Sequence, residues 1–501
     1  MIAGACRRSN TEFVTVALSD KITGLDTLSV SVAGASAERI RNLLFDSLVK
    51  KNEAFDYVGD MAETIETLEG GTVIKFTLRE GITFHNGQTF TSADVKYTFD
   101  TLFDSNGYKS RAFFDTVNKR PEAHILSIET PDPRTVLFRI AKPSLRTQLL
   151  SNLVAIPIIP QGTAAQQNDS PIGSGPFKFT VYDASQNTVD LERFPEYWNG
   201  PANIEKLRVK TVTDAGALQS ELTTGGVDIA PNPNNLPPDV ITSLETQGSL
   251  AVHKSPGSNV QYLGFNTNVP PLDNAKVRQA FGYAVDRNRI ISQLLLDQAS
   301  SANSVLPEAS WAYAPGTVYT FDPAKARQLL SEANYKNEPI VFKYSSGNTA
   351  VNQYAQAIMA NLSEVGFNIQ VEPLELATLL SQVAQGQFQM TTGVWIGGNQ
   401  DPIFLRDLFT TGKIPGEGVS CCNRWRYSNP EVDRMLEEAY NEQDREKAKL
   451  LYQGAWGQVS NDLPLMPLWY PANMVVSNVR ISNVKISPSG DWSFIKDVNV
   501  N

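Results

Sequence analysis

The segment Val73 to Phe103, VIKFTLREGITFHNGQTFTSADVKYTFDTLF, limits the fold more than any other stretch, because it joins a strand, a fixed turn and a capped helix. Ile74, Phe76 and Leu78 alternate with Val73, Lys75 and Thr77, the period of a sheet strand with one face better buried than the other. Asn86-Gly87 supplies a pair tolerant of positive φ for a tight turn, and Thr91 with Asp94 gives the pattern of a capping box. Beyond it Val95, Phe99, Leu102 and Phe103 fall on one helical face. The same mixture recurs along the chain, with an extended segment at Phe13 to Leu18 and a helical one at Ser36 to Leu48. A further helix spans Asn274 to Val285, where Val277, Ala280, Phe281, Ala284 and Val285 form an apolar face and Asp273 is placed to cap. The class is α/β.

A chain of 501 residues exceeds what one hydrophobic core serves, so two or three domains of about 100 to 200 residues are expected. The net charge of −10 leaves no electrostatic footprint for nucleic acid. No apolar run approaches the ~20 residues that span a bilayer; the longest, Leu153 to Ile159, is interrupted by proline. Three cysteines exclude a disulfide scaffold and a four-cysteine zinc site. Cys421 and Cys422 are adjacent, so a bond between them would hold Cα atoms about 3.8 Å apart and be strained; two free thiols are the alternative.

Catalytic chemistry has little to work with. The histidines His85, His124 and His253 lack the spacing that sets two zinc ligands on one helical face. There is no Gly-x-Ser-x-Gly elbow, phosphate-binding loop or dinucleotide fingerprint; Gly173-Ser174-Gly175 comes nearest, and Pro176 ends the match. His85, beside the Asn86-Gly87 turn, reads as a turn-stabilising or exposed imidazole. Glu437-Glu438 lie on a highly charged helix and read as a solvated face. No catalytic residue, metal site or cofactor is expected, and a secreted hydrolase is the remote alternative.

The wording LREGITFHNGQTFTSADVKYTFD resembles the signature of the extracytoplasmic solute-binding proteins of ABC importers, family 5, the dipeptide, oligopeptide and nickel class. Further matches follow in order: Gly173 to Phe177, Glu196-Tyr197-Trp198, Leu263 to Arg287, Trp395 through Asp401-Pro402, and Tyr427 to Ala439. The resemblance implies a two-lobe periplasmic-binding-protein fold, type II, with an extra subdomain in the first lobe. It assigns 1–50 to lobe I, 51–169 to the extra subdomain, 170–258 to lobe I, 259–469 to lobe II and 470–501 to lobe I. Hinges are expected at Ser255 to Asn259 and Pro464 to Pro471.

The implied function is capture of a peptide-like solute by hinge closure and delivery to ABC permease subunits, with an oligosaccharide or other neutral solute as the alternative. The implied location is periplasmic or cell-surface. The protein is expected to be a monomer, and Ala3-Gly4-Ala5-Cys6 resembles the sequence before a lipidated cysteine, making Cys6 the anchor candidate. Ligand contacts are expected from Ala33, Gly34 and Ala35, and from Trp395, Gly397, Gly398, Asn399 and Asp401. Arg424 or Arg426 is placed to meet a carboxylate or sugar hydroxyl, with a surface salt bridge as the alternative, and Trp395 and Trp425 to offer flat apolar faces. The charged anchors of the family's peptide binders are missing: the aspartate falls at Gly398, and Tyr344 to Thr349 holds no basic residue. Asp401 is a substitute ammonium partner or, with Pro402, a helix cap.

Overall fold

The computed structural model describes residues 12–31, 34–117, 120–397, 400–416 and 422–501. The chain forms two compact units, one from Met1–Leu236, Val240–Ser255 and Asn473–Asn501, the other from Pro237–Asp239 and Pro256–Ala472. Among the described residues no helix is long and apolar enough to cross a membrane.

The first unit holds a seven-stranded mixed sheet in the order Phe177–Asp183, Thr188–Arg193, Lys206–Thr211, Val14–Leu18, Ile229–Pro231, Asn473–Asn478, Leu250–Ser255. Val14–Leu18 runs parallel to Lys206–Thr211 and to Ile229–Pro231, while the sheet's other ladders are antiparallel. The same unit carries a four-stranded antiparallel sheet in the order Ala62–Leu68, Val73–Leu78, Thr135–Ile140, Ile125–Asp132. Val73–Leu78 and the helix Ser92–Ser105 are the strand and helix expected from the sequence. The Thr91 amide donates to Asp94 Oδ2 at 2.8 Å, closing the capping box. Phe99 from the helix packs edge-on against Phe138 with centroids 5.0 Å apart, and Phe138 meets Phe76 at 5.4 Å, so three buried aromatic rings fasten helix to sheet.

One buried carboxyl joins motifs far apart in the chain. Asp46 accepts hydrogen bonds from Ser174 Oγ at 3.0 Å and Trp198 Nε1 at 2.9 Å on one oxygen, and from the Tyr197 hydroxyl at 2.9 Å on the other. Burial, reinforced by the nearby Asp60 carboxylate, outweighs these donors and pushes its pKa up to about 7. His85 does the complementary task for the glycine turn. Its Nδ1 accepts from the Gly173 amide at 3.2 Å, and its Nε2 then donates to the Gly175 carbonyl at 3.0 Å, which fixes the neutral tautomer. Both glycines are required here, because a Cβ on Gly173 would sit 2.0 Å from the Leu44 oxygen and one on Gly175 2.6 Å from the Leu44 carbonyl carbon.

That contact explains a difference from the sequence reading. The helix expected to reach Leu48 ends at Leu44, spanning Ala35–Leu44, because Phe45 turns to extended backbone and the Leu44 carbonyl accepts the Gly175 amide at 2.9 Å.

The second unit is built on a six-stranded sheet in the order Ala299–Ser301, Leu465–Pro471, Val260–Phe265, Met390–Trp395, Pro339–Ser345, Asn368–Leu374. All six residues of Val260–Phe265 are buried. Val260 and Tyr262 enter one apolar cluster, Leu263 and Phe265 another, as the two-residue period of a strand covered on both faces requires. The matched run Leu263 to Arg287 is consumed by structure. Asn266 donates to the Gly386 and Phe388 carbonyls at 3.0 Å each. Asn274, rather than Asp273, caps the helix Ala275–Ala284, its side chain accepting from the Lys276 amide. Arg278 donates to the Asp462 and Leu272 carbonyls, and Arg287 to those of Ala302, Pro467 and Tyr319. These polar side chains satisfy buried backbone groups, which is why they carry no open chemistry.

Candidate ligand-binding site

The second unit contributes most of the residues expected at the site. Met390–Trp395 pairs antiparallel with Val260–Phe265 along its whole length, Trp395 opposite Val260. Its parallel pairing with Pro339–Ser345 covers only Met390 and Thr391. From Thr392 to Trp395 the strand is therefore laddered on one side alone. On the other side alternate backbone amides and carbonyls have no strand partner; Thr392 is buried, while Val394 is exposed.

Trp395 closes this strand, half-buried, with its ring edge-on to Phe404 at 5.1 Å and tilted against Tyr262 at 6.2 Å. Its indole Nε1 is buried and has no hydrogen-bond partner. Val394 and Ile396 on either side are 42% and 72% exposed. Gly397 has φ of +72°, a conformation that favours glycine, and its amide donates to Asn259 Oδ1 at 3.1 Å. Gln400 Nε2 donates to Ser258 Oγ at 3.0 Å. Neither Asn259 nor Ser258 is among the site residues expected from the sequence; the polar cluster at Ser255 to Asn259 is the available signal, and by itself it points only to a hinge.

Asp401 is buried and serves as a helix cap. Its Oδ1 accepts from the Ile403 amide at 2.9 Å and its carbonyl from the Phe404 amide at 3.1 Å, starting the helix Ile403–Phe409 directly after Pro402.

Arg424 lies half-buried with its guanidinium carbon 5.4 Å from the centre of the Trp395 ring, a cation–π arrangement. Its Nε is buried without a partner. Tyr262 is buried, and burial raises its hydroxyl pKa to about 12 against the opposing influence of the Arg424 charge. Arg426 is committed elsewhere, donating to the Ala384 carbonyl at 3.0 Å.

Trp425 corrects the expectation of an open aromatic face. Its side chain is 0% exposed, packed edge-on to Tyr262 at 5.2 Å, and its ring fills the space that a side chain on Gly264 would need. Cys422 is disulfide-bonded, which removes it from the free-thiol alternative.

In the first unit, Gly34 stands at the N-cap of Ala35–Leu44, where its carbonyl accepts the Glu38 amide at 3.0 Å, and Ala35 is exposed in the first turn. Space around Gly34 is ordinary, since a Cβ added there would meet nothing closer than 3.7 Å. Ala33, Gly398, Asn399 and Cys6 lie outside the described residues.

A strand edge with no strand partner thus lies beside a tryptophan and an arginine that, among the described residues, has no carboxylate partner. Residues 56–416 match the family described as bacterial extracellular solute-binding proteins, family 5. The chain belongs to that family. It is a solute-binding protein. Among its relatives is heme-binding protein A of Haemophilus influenzae, 28% identical over 92% of this chain and 87% of that one. Another is a putative ABC transporter peptide-binding protein of Brucella ovis, 30% identical over 89% of this chain and 85% of the other. The solved structure of HbpA2 from Haemophilus parasuis superimposes with a TM-score of 0.81 at 24% identity, covering 98% of this chain and 100% of that one. The fold is that of the two-lobe periplasmic binding proteins of the peptide-binding class.

Proposed function

We propose that this solute-binding protein serves an ABC importer in the periplasm and takes up a peptide. The open edge of Thr392 to Trp395 carries this reading, since an extended peptide binds by adding its backbone to such an edge while neighbouring surfaces receive its side chains. The 30% identical relative from Brucella ovis, named as peptide-binding, supports it. Trp395, Gly397 and Arg424 are the contacts proposed in the second unit, Gly34 and Ala35 those in the first, with Ser255 to Asn259 acting as a hinge; Pro464 to Pro471 is not proposed as one, because Leu465–Pro471 is a strand of the six-stranded sheet and the chain leaves that unit after Ala472. In the same proposal Cys6 anchors the chain to lipid, the protein acts as a monomer, and it binds its solute without transforming it.

The test is a thermal titration of the purified full chain with a mixed peptide pool, an oligosaccharide set and heme. A ligand selective for the folded form raises the midpoint by mass action, about 2.7 kcal/mol at one hundred times its dissociation constant. Stabilisation by the peptide pool alone is expected. Stabilisation by saccharides or heme, and not by peptides, overturns the reading.

A further inference from the structure

A peptide brings charge into its receptor, yet the positions of the family's aspartate and arginine anchors carry no charge in this chain. Arg424 lies in the second unit. The two buried arginines of the same unit, Arg278 and Arg287, are fully engaged with backbone carbonyls, and Arg406 and Arg434 pair with Glu437 and with Glu431 and Glu438. Among the described residues Arg424 meets no carboxylate and no carbonyl through its side chain. Its guanidinium stacks on the Trp395 ring and its charge acts on the Tyr262 hydroxyl, and the Trp395 ring lies at the end of the strand edge.

A half-buried guanidinium with a buried, unpartnered Nε is an unfavourable arrangement for a chain that binds nothing there, because a buried donor without an acceptor forfeits its hydration. The Trp395 Nε1 beside it is in the same state. Two buried donors without a partner thus occur in side chains that stack on each other, beside a third at Trp425 Nε1, with Val394 and Ile396 exposed nearby in sequence. Stacking on the indole holds the planar fork of the guanidinium in place, so less rotational freedom is lost when an oxyanion arrives. A carboxylate suits that fork, since its two oxygens match parallel N–H donors.

We propose that Arg424, held against Trp395, is the receptor for a carboxylate of the solute, with the group next to that carboxylate lying on Val394 and Ile396. This deepens the peptide reading and rests on it for the identity of the solute, though not for the chemistry of the site. The carboxylate comes either from a peptide C-terminus or from an acidic side chain.

The experiment compares wild type, Arg424→Gln and Arg424→Lys by calorimetry, using a mixed tetrapeptide pool with free C-termini and the same pool amidated, each divided into members with and without Glu or Asp. Circular dichroism and a melt confirm that each variant is folded. The expected result is that wild type prefers the free acid, or the acidic members, by about 10- to 100-fold, the range of a charged hydrogen bond. Arg424→Gln abolishes that preference, its affinity for the free acid falling further than its affinity for the amide, and Arg424→Lys keeps part of it. A dependence on the terminus identifies a C-terminal carboxylate; a dependence on Glu or Asp identifies a side chain. Equal affinity of wild type for acid and amide in every subset, or an equal loss of both in Arg424→Gln, overturns the proposal. If wild type binds no peptide, the peptide reading fails by itself, and succinate, benzoate and heme become the probes. Binding of any of these that disappears in Arg424→Gln upholds the carboxylate site, and no such binding overturns it.

Discussion

The side-chain oxygen of Asn259 accepts the backbone amide of Gly397 at 3.1 Å, tying the turn after the open strand edge to the stretch with which the chain enters its second unit. The Gln400 to Ser258 bond at 3.0 Å makes the same tie a second time. Two side chains thereby hold the turn after this strand to Ser258 and Asn259.

Asn259→Ala removes the acceptor and leaves the Gly397 amide without its partner. A stability loss of about 1 kcal/mol is expected from urea denaturation, the net worth of one such bond. Solute affinity should fall as well, because the turn no longer holds the strand end in place. Equal affinity of variant and wild type in calorimetry contradicts this link.

Asp46 predicts an unusual pH dependence. Its folded pKa is raised to about 7, mainly by burial and then by Asp60, above an unfolded value near 3.8. Between these values the native state holds a proton that the unfolded state does not, so the contribution of Asp46 is fully present below pH 3.8 and is lost as pH rises through about 7. Asp46→Asn keeps the shape and an acceptor for Ser174 and Trp198 while removing the charge. Denaturation across about pH 4 to 8 should show that the variant gains on wild type as pH rises; a constant difference at all pH values rejects the assignment.

His85 acts in the opposite direction. Burial, with Lys178 assisting against the Gly175 bond, depresses its folded pKa to about 4 from 6.5. Its contribution is present above pH 6.5 and is lost as pH falls through about 4, because the unfolded chain takes up the proton first. His85→Ala also frees the Gly173 amide and the Gly175 carbonyl, at a cost of about 2 to 3 kcal/mol for the two lost bonds and the vacated space. Melting at about pH 7.5 measures that loss, and the variant should be less sensitive to acidification between pH 6.5 and about 4.

Gly264 and Trp425 form a close pair, since a Cβ on the glycine would lie 1.9 Å from the indole ring. Gly264→Ala should cost about 3 kcal/mol or prevent folding, as overpacking of a rigid ring does. Adding Trp425→Leu should recover part of the loss. Failure of that double variant to improve on the single one contradicts the packing of glycine against ring.

Local patterns in the chain are readable where local physics decides them. The strand Val73–Leu78, the Thr91 and Asp94 box and the buried face of Val277, Ala280, Phe281 and Ala284 follow from periodicity and capping. Asp401 shows its cap in the Asp-Pro order. The end of the helix at Leu44 is hidden, because the turn that stops it comes from Gly173 to Gly175, well over one hundred residues away. Trp425 reads as an open ring for the same reason: Gly264, distant in sequence, provides its socket. Arg424 is legible as a cation, but its stacking on Trp395 and the lack of an acid partner among the described residues depend on tertiary placement. Asp46 gives no sign at all, since a carboxylate among Ser174, Tyr197 and Trp198 is assembled only by the fold.

Hydrogen exchange at the amides of Thr392 to Trp395, with and without a saturating peptide pool, decides whether the solute adds to the open edge. Amides on the open side of this strand are predicted to slow markedly when peptide binds, and Trp395→Ala to weaken the effect by reducing affinity. Peptide binding that leaves these amides exchanging at their unbound rates would contradict strand addition at this edge.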